Sequence, residues 1–154
     1  MQSLKLLALD REDLEVLSAH LQDAVLKVAD MAYVPSQKRF AAVANRFDWM
    51  HASDDSAAKK KSYERQRSAL RFDRVISAQV QDIRLSDKER VLELLAIQFE
   101  EAEPPEGFVT LVFAGGAAVR LHVECIEAEL KDLGIAWPTE RLPEHADDDQ
   151  QATD

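Results

Sequence analysis

The stretch from Phe108 to Val123 constrains this chain most: two runs rich in β-branched and aromatic residues, Phe108 to Phe113 and Ala117 to Val123, flank the pair Gly115-Gly116. Glycine accepts the positive φ of tight hairpin turns. The pair therefore predicts a two-residue turn with Val112 opposite Val119 and Thr110 opposite Leu121. Directly opposed residues share a face, which groups Val112, Val119 and Leu121 on one side and Leu111, Arg120 and His122 on the other. Val119, Leu121 and Val123 form the more uniformly apolar set, so theirs is the face expected to bury, with Arg120 and His122 reaching solvent or a polar partner. Beyond the hairpin, Val123, Ile126, Leu130 and Leu133 recur at helical spacing and Gly134 stands where a left-handed cap would end a helix, so a C-terminal helix is expected.

Upstream, Leu4, Leu6, Leu7 and Leu9 form a short apolar run, and Asp10 occupies an N-cap position before a helix carrying Leu14, Leu17 and Leu21. The segments Ala24 to Val34 and Phe40 to Phe47 read as a second hairpin turned by Pro35-Ser36-Gln37-Lys38. Leu70, Phe72, Ile76, Ala78 and Val80 alternate on one face and are interrupted by Arg74, where a bend or bulge divides them into two strands. Val91 to Phe99 is almost continuously apolar, as befits a strand at the centre of a sheet, and Pro104-Pro105-Glu106-Gly107 breaks the chain after it. Residues 51–64 are polar, small and aperiodic and read as a mobile loop. Residues 138–154 read as a disordered acidic tail that follows a single domain spanning 1–137.

This element order predicts an α+β fold: a curved antiparallel sheet or barrel of six to seven strands with an N-terminal and a C-terminal helix, an order analogous to a pleckstrin-homology-like barrel. With 154 residues, 46% of them hydrophobic, the chain can bury a core without disulfide staples. The N-terminus lacks the length and cleavage site of a secretory signal, and Cys125 is the only cysteine. Both features point to the reducing cytoplasm.

Three runs carry a family resemblance: Leu17-Ser18-Ala19-His20-Leu21-Gln22-Asp23-Ala24, then Val43-Ala44-Asn45-Arg46-Phe47-Asp48-Trp49, then the final hairpin with Val123-Glu124-Cys125-Ile126-Glu127-Ala128. Together they resemble DUF2948, an uncharacterised domain-of-unknown-function family of alphaproteobacterial proteins of about this length. The resemblance covers nearly the whole chain up to the acidic tail. It implies a bacterial cytoplasm and brings no catalytic residues with it.

The net charge is −10, unevenly spread. Residues 59–74 hold Lys59, Lys60, Lys61, Arg65, Arg67, Arg71 and Arg74 against Glu64 and Asp73, whereas the tail holds six acids against Arg141. The overall charge repels nucleic acid and anionic surfaces at long range, so polyanion binding through residues 59–74 ranks last, with Tyr63 and Phe72 as its stacking candidates. Cys125 with His122 is the only pair resembling a nucleophile and its base, but Glu124, Glu127 and Glu129 disfavour the thiolate, and a small buried packing role is the expected one. His20, His51, His122 and His145 lack metal-site spacing, and the Asp54-Asp55 and Asp147-Asp148-Asp149 runs lack a rigid support, so neither a metal nor a cofactor is expected. Trp137 reads as an anchor for the end of the domain.

Arg46-Phe47-Asp48-Trp49 is the strongest candidate for a contact surface, since arginine and aromatic side chains dominate binding hot spots. Its plainer reading is strand-end packing with an Arg46 to Asp48 charge pair. Function is thus expected to be that of a non-enzymatic interaction module which presents this cluster or a strand edge to a protein partner or a second copy. The alternative is a small enzyme whose site gathers Cys125, His122, Arg120 and Arg46. No transmembrane run is present.

Overall fold

A computed structural model describes residues 3–47 and 64–138 of the chain. The first strand, β1 (Lys5–Ala8), leads into α1 (Arg11–His20). The cap is the one the sequence announces: Asp10 is extended and its Oδ1 accepts the Asp13 N–H at 2.8 Å, while Asp13 Oδ2 accepts the Leu9 N–H at 3.0 Å. Leu14, Leu17 and Leu21 are then buried on one stripe, each contributing about 1.5–3 kcal/mol of apolar transfer.

The described residues carry ten strands. After α1 come β2 (Val25–Lys27), β3 (Met31–Val34), β4 (Arg39–Phe47), β5 (Glu64–Phe72), β6 (Val75–Gln81), β7 (Val91–Glu101), β8 (Gly107–Phe113), β9 (Ala118–Val123) and β10 (Ala128–Pro138). They form one antiparallel sheet in the order β1-β10-β5-β4-β2-β7-β8-β9-β6, with β3 attached to β4. Short β2 joins two halves, β1-β10-β5-β4 and β7-β8-β9-β6, by pairing with both β4 and β7. Both halves contribute to one continuous core, in which Phe72, Phe113, Leu111, Leu121 and Leu130 are fully buried. The chain crosses between the halves at Asp73-Arg74, the expected interruption, where Arg74 takes a φ of 64°.

Where β7 outruns β2, α1 covers its edge. Ser18 Oγ accepts the Ile97 N–H at 2.9 Å, and Arg11 donates to the Phe99 carbonyl at 3.3 Å while lying over its ring. These side chains satisfy backbone groups that would otherwise template aggregation.

Several expectations are corrected. The sheet does not close into a barrel, and it holds more strands than the six or seven expected. The residues read as a C-terminal helix are not helical, and the pleckstrin-homology-like order falls with them: residues 128–138 form β10, held between β1 and β5. Leu133, which completed the helical pattern, is 53% exposed, and Gly134 takes its positive φ inside a strand irregularity. Two-sided ladder pairing outweighs a local helical period.

The hairpin register is shifted by one residue. Ala118, not Val119, opposes Val112, and Val119 opposes Leu111. Both glycines take positive φ, but the loop is longer than two residues and closes with the Phe113 N–H on the Ala117 carbonyl at 2.9 Å. The extra residue sends Leu111 inward with Val119, Leu121 and Val123, and leaves Val112 outside with Arg120 and His122.

Candidate functional site

On β4, Phe40, Ala42, Ala44 and Arg46 alternate inward. They meet Phe72, Leu70, Ser68 and Gln66 on β5 and Ala128, Leu130 and Asp132 on β10, so the inner face turns from apolar to polar at one end. There Arg46 forks onto Asp132, Nε to Oδ1 at 3.0 Å and a terminal nitrogen to Oδ2 at 2.9 Å. Ser68 Oγ donates to Oδ1 at 2.7 Å and the Leu4 N–H to Oδ2 at 2.9 Å. The side chains of the pair are 5% and 0% exposed. Burial alone would raise the Asp132 carboxyl, but hydrogen bonds from Arg46, Ser68 and Leu4 outweigh it and hold the group below its ordinary range. Among the described residues, Arg46 pairs with Asp132; the expected partner Asp48 lies outside them.

Phe47 follows on the outer face, with the Arg65 guanidinium 5.1 Å from its ring centroid. Burial pushes Arg65 down, opposed by the charges of Asp23 and Glu93. Asp48 and Trp49 lie outside the described residues, as do residues 51–63 of the expected mobile loop 51–64, with the lysines and Tyr63, and residues 139–154 of the expected acidic tail, whereas Glu64 opens β5. Trp137 pairs along the backbone with Arg65, while its side chain is outside the described part.

In the described part of the basic strip, Arg71 and Arg74 are matched by acids. Arg39 and Arg71 share Asp73, Arg71 also donates to Glu129, and Arg74 reaches Glu124 and Glu127. Phe72 is fully buried and offers no face for a base.

The residues proposed for a dispersed enzyme site divide. Arg120 and His122 gather around Phe108, the guanidinium 4.0 Å from the ring centroid and the imidazole stacked at 4.7 Å, with Glu106 bonded to His122. Arg46 lies in the other half of the sheet. Cys125 sits in the β9–β10 connection, half-buried rather than buried, and His122 is three residues away on a strand, not on a shared helix face. A cleft between α1 and β7, lined by Arg11, Leu14, Glu15, Ile97, Gln98 and Phe99, is crossed by the Arg11 to Phe99 contact. No cluster of three metal-binding side chains and no helix long and apolar enough to cross a membrane occurs among the described residues.

The remaining feature is a sheet edge. Strand β6 pairs with β9 on one side only, and no described strand pairs with its other side. Its sequence, Val75-Ile76-Ser77-Ala78-Gln79-Val80-Gln81, contains no charge and no proline, and Ile76 and Val80 are 44% and 42% exposed. At one end the edge is closed: the Val75 N–H donates to the Lys38 carbonyl at 2.9 Å, and the Tyr33 hydroxyl to the Ile76 carbonyl at 3.0 Å. At the other end Asp82 turns the chain away with a φ of 56°.

A family model described as a protein of unknown function, DUF2948, matches residues 4–145. The chain belongs to the DUF2948 family. No curated protein and no solved structure matches it. The DUF2948 match covers both halves of the sheet and passes Pro138 into the acidic tail, so the segment holding Asp48 and Trp49 belongs to the family's domain as well.

Sequence reading of this DUF2948 chain missed Asp132, Ser68 and the β6 edge. Asp132 stood in a pattern read as helix, and its partner Arg46 is 86 residues away. The edge had a usable signal: seven uncharged residues in a chain that is 31% charged.

Proposed function

We propose that this protein is an interaction module of the bacterial cytoplasm, and that it receives a partner strand along the edge of β6. The observation that carries this reading is the uncharged, mostly exposed run from Ser77 to Gln81, which among the described residues pairs on one side only. Among the other edges, β1 and β3 have four residues each, and the part of β7 that outruns β2 is covered by α1. Long exposed edges without lysine, proline or covering elements recruit strands, main-chain hydrogen bonds giving affinity and alternate side chains giving selectivity.

The segment Arg46 to Trp49 is proposed as a second contact at the loop end, with Arg46 fixed by Asp132 and Phe47 carried beside it on the outer face. Enzymatic and polyanion readings gain less, because Cys125 and Arg46 do not join Arg120 and His122, and Arg71 and Arg74 of the basic strip are matched by acids.

The test is retention of a partner from native cytosol by the full chain and by Val80→Lys, with circular dichroism confirming the fold. Retention that persists at about 0.5 M salt and is lost with Val80→Lys supports the reading. Equal retention by both chains, or loss only when Arg65 and Arg67 are neutralised, refutes it.

A further inference from the structure

We infer that the strand received by β6 is β6 of a second copy, paired antiparallel about a two-fold axis at Gln79; this rests on the edge reading above. The available edge runs from Ser77 to Gln81, bounded by the Tyr33 and Lys38 contacts at one end and the Asp82 turn at the other. Antiparallel pairing centred on Gln79 matches that length: Ser77 opposes Gln81 of the other copy, Ala78 opposes Val80, and Gln79 opposes itself. Each chain turns away at Asp82 just where its neighbour's edge is closed.

The side chains are self-complementary in this register. Ala78 and Val80, opposite the buried Leu121 and Val119, meet each other across the axis as apolar pairs. Gln79 and Gln81 lie on the outer face with Arg120 and Ala118. A glutamine amide both donates and accepts, so two Gln79 side chains related by a two-fold axis satisfy one another, which two like charges could not. Isologous pairing of this kind closes after two copies and leaves no further edge of β6. Each copy carries a charge of −10, so the pair forms against long-range repulsion. An uncharged contact strip is the part of the surface where that repulsion is least. Salt screens it, and self-association is therefore expected to hold or tighten with ionic strength, opposite to a charge-driven complex.

Sedimentation of the full chain decides the matter, with Gln79→Lys and Gln79→Glu variants. Each variant alone is expected to dimerise roughly fivefold more weakly than the parent, because like charges then oppose across the axis, and an equimolar mixture is expected to form the mixed dimer. In a Cys125→Ser background, Gln79→Cys should oxidise to a disulfide dimer faster than the exposed control Ser36→Cys, since opposed residues on paired strands approach to about 4.5–5.5 Å between Cβ atoms. A monomer at about 100 μM, or a dimer indifferent to all of these changes, overturns self-pairing. If Val80→Lys still abolishes retention of another protein, the edge reading stands and only the identity of the partner falls. If it abolishes nothing, both fall.

Discussion

Removing Asp132 should be among the costliest single changes in this protein. The carboxylate accepts four hydrogen bonds, two from Arg46 and one each from Ser68 and the Leu4 N–H, at 2.7 to 3.0 Å. Asp132→Ala leaves a guanidinium whose side chain is 5% exposed without its counter-charge, together with a stranded hydroxyl and amide. Breaking a buried pair in this way costs about 3–5 kcal/mol, a large share of the roughly 5–15 kcal/mol that holds a domain together. Most of that cost is the unpaired charge, so it should not recur when the partner is also removed. The double variant Arg46→Met with Asp132→Leu should recover at least about 2 kcal/mol of the summed single costs, with Ser68 and Leu4 accounting for the remainder. Urea unfolding followed by far-ultraviolet circular dichroism measures all three. A cost below about 1 kcal/mol for Asp132→Ala, or additivity within about 0.5 kcal/mol, would refute the reasoning.

The same carboxylate makes stability depend on pH. The Asp132 and Asp73 carboxyls are held below their ordinary range when folded, so at acid pH the unfolded chain binds more protons. Stability is then full above the usual carboxylate range and falls as pH drops below about 4, and urea midpoints should fall less steeply in Asp132→Asn. Gly107→Ala should destabilise by about 1–3 kcal/mol, because a Cβ there would lie 2.5 Å from the Phe99 ring and 2.6 Å from the Glu100 carbonyl oxygen, which is backbone and cannot turn aside; unchanged thermal unfolding would contradict this. Ser18→Ala removes the acceptor of the Ile97 N–H and should cost about 1–2 kcal/mol, with faster amide exchange at Ile97 as its local signature.

Much of the first half of the fold could be read from short-range signals. Asp10 caps its helix, Pro35 to Lys38 turns β3 into β4 with Lys38 in the left-handed region, and Arg74 marks the bend between β5 and β6. Each feature is decided by a few neighbouring residues. The hairpin at Gly115-Gly116 was legible in kind but not in register, since two adjacent glycines suit a two-residue turn and a longer one equally. One residue of loop length then decides which face Leu111 joins.

Strand β10 was illegible for a reason that also explains the candidate site. A half-buried strand announces itself by apolar residues at alternate positions, and here the series Ala128, Leu130, Asp132 ends on an acid where the inner face demands an apolar group. Read locally, that acid breaks the alternation, and Val123, Ile126, Leu130 and Leu133 supply a helical period in its place. The acid is admissible inside only because Arg46 and Ser68 reach it from strands separated by 86 and 64 residues in sequence. The network in turn favours the observed register, because a one-residue slip of β10 would carry Asp132 to the outer face and strand Arg46 in the interior. The residues that most obscure the fold in the sequence therefore help specify it in the structure, and they anchor the start of the Arg46 to Trp49 segment. The β6 edge is the converse case. Its lack of charge marks the run in the sequence, but only the topology shows that, among the described residues, it has a partner on one side only.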